Sequence, residues 1–92
     1  MNVLKDVLGI NLKHLKCNFA SLRRVIKQER KKAGDGREAV HAYQLYFDSY
    51  QSILGRINDL GYESVYRKVQ KEYDKKFLEC KQELIALGWM TE

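Results

Sequence analysis

The chain has 92 residues, 45% of them hydrophobic and 32% charged, with no proline, a globular composition that excludes intrinsic disorder and predicts a single domain over residues 1–92. No apolar run approaches the ~18 residues of a membrane span, and Lys5 and Asp6 interrupt the stretch that a signal peptide would need, so a cytoplasmic protein without a membrane partner is expected. The net charge of +5 is uneven, +7 over residues 1–37 and −2 over residues 38–92, which predicts a basic face with an acidic partner.

Helix one carries Leu4, Leu8, Leu12, Leu15, Phe19, Leu22 and Ile26 at steps of four and three. At 100° per residue they fall within ~80° of one another. Gly9 and Ile10 break the pattern, and Asn11 has the side chain to cap a fresh helix. The expectation is a main helix over about 11–32, with 2–8 a separate short turn. The first residues also have the amphipathic moment of a membrane-surface segment, but the core is expected to need the same stripe. The run from Ala33 to Glu38 reads as a loop. In it Asp35 is the expected N-cap of helix two and Glu38 the returning arm of a capping box.

Helix two, about 37–60, has the most regular pattern. Ala39, Tyr43, Tyr46, Tyr50, Ile53, Ile57 and Leu60 form a coiled-coil-like seam. Val40, Phe47 and Leu54 widen the apolar arc to roughly 160°, enough for two neighbours. The surplus width also points to a second copy of the chain, and a homodimer is the expected assembly. Gly61 is placed to end the helix in the left-handed region.

Helix three, about 63–87, carries Tyr66, Val69, Tyr73, Phe77, Cys80, Leu84 and Leu87 on its stripe. Its remaining faces are dense in both charges, with Glu72 and Lys76 at pairing distance. Gly88 stops it, and Trp89 is expected to fold back on Leu84 or Ile85. Short connections make consecutive helices antiparallel. The fold class expected is all-α, an up-down-up three-helix bundle of long helices, dimeric if helix two's spare face is filled by a second copy.

Two surfaces invite contact. Lys13, Lys16, Arg23, Arg24, Lys27, Arg30 and Lys31 share one arc of helix one, about 120° wide. Lys32 and Arg37 extend the charge beyond it, and His14, Asn18, Ser21 and Gln28 lie across the apolar strip. Such a stripe suits phosphates, through counterion release, or an acidic protein surface; its ordinary reading is a solvated face. The second surface is His41, Gln44, Leu45, Asp48, Gln51 and Ser52 on helix two. From Glu38 to Gly55 there is no Lys or Arg, whereas exposed helix faces normally carry them. Low charge with Tyr and Leu present is an interface composition; the ordinary reading is a helix covered by its own two neighbours.

Chemistry is scarce. His14 and Cys17 stand one turn apart, as zinc ligands do, but no second pair exists. The same two residues as base and nucleophile lack a third group. No metal site, cofactor or enzyme activity is expected, and both cysteines are expected to be buried reduced thiols. The helices are too long and too parallel for a helix-turn-helix reader. The expected function is therefore a non-enzymatic protein-binding module, an inhibitor, adaptor or complex subunit, that binds its partner through the basic helix-one stripe and the low-charge helix-two face. The alternative is a nucleic-acid accessory protein using the basic stripe.

Overall fold

The computed structural model describes residues 3–91. They form three helices, α1 (Val3–Lys31), α2 (Arg37–Asp59) and α3 (Glu63–Ala86), in the up-down-up order expected, with α2 packed against both neighbours. The particle is long and thin, 49 × 23 × 15 Å.

Helix one departs from expectation. It runs unbroken from Val3 through Gly9 and Asn11. A helical glycine costs only ~1 kcal/mol relative to alanine. Asn11 does not cap; it is buried, and its amide does two other jobs. Nδ2 donates to the Val7 carbonyl at 2.9 Å, and Oδ1 accepts from Arg56 Nη1 of α2 at 3.5 Å. The Asn11–Arg56 and Asn18–Ser49 contacts set the α1–α2 register. In that register the last residue of α2, Asp59, is level with Leu8, and α1 projects beyond α2. Leu4, expected in the core strip, is consequently exposed, as are Val3, Val7 and Ile10.

The loop also differs. Ala33 adopts a left-handed φ of 53°, and Gly34 N–H donates to the Glu29 carbonyl at 3.1 Å, so α1 ends in a Schellman arrangement whose left-handed residue is not glycine. Gly36 is the N-cap of α2, with φ 83° and no side-chain cap bond. Asp35 stands one residue earlier and accepts from the Arg37 N–H at 3.1 Å. The capping box of Asp35 and Glu38 is therefore absent. At the other end of the chain, Gly88 (φ 77°) ends α3, and Trp89 N–H bonds the Leu84 carbonyl at 3.0 Å. The Trp89 ring lies against Gly36, where a Cβ would collide with it. This contact joins the α1–α2 loop to the end of α3.

The core is the α2 seam closed on both sides. Leu15, Leu22 and Ile26 of α1, Ala39, Tyr50, Ile53 and Ile57 of α2, and Phe77, Cys80 and Leu84 of α3 are buried. Phe77 is the centre of an aromatic cluster, 5.1 Å from the Tyr50 ring, 5.3 Å from Phe19 and 5.4 Å from Phe47. The Tyr50 hydroxyl donates to Asp74 Oδ1 at 2.8 Å. The wide apolar arc of α2 is thus taken up inside one chain, by two neighbours.

Candidate functional site

Two surfaces of opposite character flank α1. On one side are the seven basic residues of the stripe. Lys13, Lys16, Arg23, Arg24, Lys27, Arg30 and Lys31 are all exposed. Arg23 and Arg30 reach across to α3, where both hold Glu83. Arg23 Nη1 donates to Oε2 at 2.5 Å and Arg30 Nη1 to Oε1 at 3.3 Å. Lys13, Lys16, Arg24, Lys27 and Lys31 form no ion pair among the described residues. Arg37 belongs to α2 rather than to the α1 arc, and its guanidinium pairs with Asp35 at 3.0 Å. The hydrogen bond to Glu83, and then the contact with Cys80 Sγ at 3.6 Å, push the Arg23 guanidinium still further into its charged range. Burial pushes the Cys80 thiol up, against the opposing pull of Arg23.

No Cα of α1 lies within 8 Å of a Cα of α3. Long side chains span that separation: Arg23 and Arg30 onto Glu83, and Phe19 edge-on to Tyr73 and Phe77. Lys76 Nζ sits over Phe19 and Tyr73, at 5.6 and 4.8 Å from the ring centres. An open crevice of about 690 Å³ remains between the helices, walled by the basic arc of α1 and by Glu83. Sequence reasoning missed Glu83, because its place opposite Arg23 depends on the α1–α3 register, which no local pattern encodes.

The other surface carries no Lys or Arg. His41, Gln44, Leu45, Asp48, Gln51 and Ser52 are all exposed, but only His41, Leu45, Asp48 and Ser52 lie toward α1; Gln44 and Gln51 stand on the α3 side of α2, beside Lys81 and Trp89 and beside Tyr66 and Gln70. On the adjoining side of α1, Val3, Val7, Ile10, His14, Cys17, Ser21 and Gln28 follow one another at helical spacing with no charge among them. All of these are exposed except Ser21, which is half-buried. Asn18 of α1 donates to Ser49 Oγ of α2 at 3.1 Å and stitches the two strips into one face. Sequence reasoning placed His14, Asn18, Ser21 and Gln28 on this side but expected Cys17 to be buried. It is exposed, and only Cys80 is inside. The face ends in an apolar cluster, with Val3 70% and Ile10 55% exposed, and Leu45 at 55% lies on its α2 half.

Among the described residues no three His, Cys, Asp or Glu side chains gather as a metal site would require, and no helix is long and apolar enough to cross a membrane. No protein-family model matches the chain, and neither does any curated protein or solved structure.

Proposed function

We propose that this chain is a non-enzymatic binding module, acting as an inhibitor, adaptor or complex subunit, that holds a partner protein on the low-charge face shared by α1 and α2. The observation that supports this is the exposure of that face. It carries large apolar side chains at one end and, from Glu38 to Gly55 of α2 and along the adjoining strip of α1, lacks the Lys and Arg that keep helix surfaces solvated. Exposed apolar side chains clustered within one face mark contact sites more often than scattered ones do. The test pairs two sets of variants. Leu45→Asp and Ser52→Lys together remove partner binding while the fold persists; Arg24, Lys27 and Lys31 changed to Gln weaken it less. The reverse ranking refutes the assignment.

A second reading has its own support: five cations of the stripe have no acidic partner among the described residues, and Lys13 to Lys31 span ~27 Å of helix. Phosphates would neutralise them. Binding of that kind falls log-linearly with salt, whereas loss through a low-charge face changes little. A homodimer would use the same α1–α2 face, since the apolar arc of α2 is filled from within. Light scattering at twice 10.8 kDa for the wild type, returning to the single mass in Leu45→Asp, supports it. A single mass at every concentration removes it.

A further inference from the structure

The crevice between α1 and α3 combines features that the α1–α2 face leaves unused. It is concave, it is lined by Arg24, Lys27 and Lys31 without acidic partners among the described residues, and it already holds one carboxylate. Glu83 sits between Arg23 and Arg30, accepting from both. We infer that this crevice is a docking groove for an acidic helical segment of a protein, whose carboxylates extend along α1 the arrangement that Glu83 begins.

Charge sets the class of occupant. Five cations, Arg23, Arg24, Lys27, Arg30 and Lys31, face a single acid at this crevice, and the excess calls for further negative charge. Spacing sets its form. Arg24, Lys27 and Lys31 stand three and four residues apart, so they repeat over ~10 Å of helix axis. Asp or Glu at i, i+3 and i+7 of a partner helix match that repeat. Ala20 has the smallest side chain of the wall, which lets a partner backbone approach α1. Guanidinium groups donate charge-assisted hydrogen bonds to carboxylates, and Arg23 and Arg30 each donate one such bond, through Nη1, to Glu83.

Nucleic acid fits this crevice less well. Single strands bind largely by stacking bases on aromatic rings, and no aromatic side chain lines this crevice. A duplex is about twice as wide as a helix and would meet only the rim.

This inference rests on the chain being a protein-binding module but uses a different surface from the α1–α2 face, so the two can fail separately. The probe is a fluorescein-labelled peptide of about four helical turns, made of Glu, Leu and Ala with Glu at i, i+3 and i+7. Its binding to the full chain is read by fluorescence anisotropy. Saturable binding is expected, weakened about tenfold or more by Lys27→Glu with Lys31→Glu, and unchanged by Leu45→Asp. Glu83→Gln, which frees Arg23 and Arg30, should tighten it several-fold; a Glu83 that merely props the groove open would weaken it instead. Circular dichroism establishes that each variant is folded. The inference is overturned by absence of saturation, by indifference to the Lys27 and Lys31 changes, or by equal binding of a peptide with the same charge but no Leu. Displacement of the peptide by an oligonucleotide at lower concentration than by unlabelled peptide also overturns it, in favour of phosphate binding. If the peptide fails while Leu45→Asp still abolishes binding of a partner protein, the groove is lost and the α1–α2 face stands.

Discussion

Replacing Tyr50 with Phe tests the core through a change of sign with pH. Tyr50 is 1% exposed, stacks on Phe77 at 5.1 Å and donates its hydroxyl to Asp74 at 2.8 Å. At neutral pH the phenylalanine keeps the ring packing and loses the bond to a carboxylate. Such a bond contributes about 1–2 kcal/mol, and because Asp74 is exposed its carboxylate is rehydrated rather than stranded. Burial, and then the Asp74 hydrogen bond, push the Tyr50 hydroxyl above the ordinary tyrosine value of 10.0. A raised value in the fold means that the stability from Tyr50 is fully present below pH 10 and is lost as pH rises beyond it. The loss is about 1.4 kcal/mol per pH unit for one proton. Wild type should therefore lead Tyr50→Phe by 1–2 kcal/mol near pH 8, fall level with it near about pH 11, and be the less stable above. Urea unfolding followed by circular dichroism across this range measures the difference directly. A difference that stays constant from about pH 8 to 12 would show that Tyr50 is not held neutral inside the bundle.

Other consequences are as direct. Tyr50→Asp, which puts an unpaired charge at the centre of the α2 seam, should cost several kcal/mol in the same urea assay, and wild-type stability would refute the seam. Gly36→Ala forces a side chain into φ 83° and into the Trp89 ring. It should cost more than the ~1–2 kcal/mol of the left-handed backbone alone, and Trp89→Ala should recover part of the loss in a double-mutant cycle. Ala33→Gly relieves a left-handed alanine and should raise stability by about 0.5–1 kcal/mol. With a disulfide-exchange dye, Cys17 should react at once and Cys80 only on unfolding; two thiols of equal rate would contradict their placement.

The periodicity carried most of the architecture. Steps of three and four place α2 and α3 to within a residue or so, since their stripes are uninterrupted and glycines stand at Gly61 and Gly88, where left-handed caps form. The start of α1 was not legible. Gly9 and Asn11 look like a break, and only the register with α2 shows that the Asn11 amide is used inside the bundle, on Val7 and Arg56. The exposure of Leu4 has the same origin: a periodic apolar stripe does not say where the neighbouring helix stops. The basic arc and the low-charge side of α2 could be read residue by residue. What joins them to their surroundings, Glu83 across the crevice and the Asn18–Ser49 bond beneath the low-charge face, depends on contacts between residues 31 to 60 positions apart.

Cys17 offers the most direct test of the central claim, because it is an exposed native thiol in the middle of the uncharged α1 strip. Its alkylation rate can be measured by mass spectrometry, with and without a partner protein captured from nuclease-treated extract of the native host. A partner seated on the α1–α2 face should slow Cys17 alkylation about tenfold or more, as burial at an interface excludes solvent, and the Leu45→Asp chain should show no slowing. A Cys17 that reacts equally fast in the captured complex and in the free protein would contradict the assignment of that face.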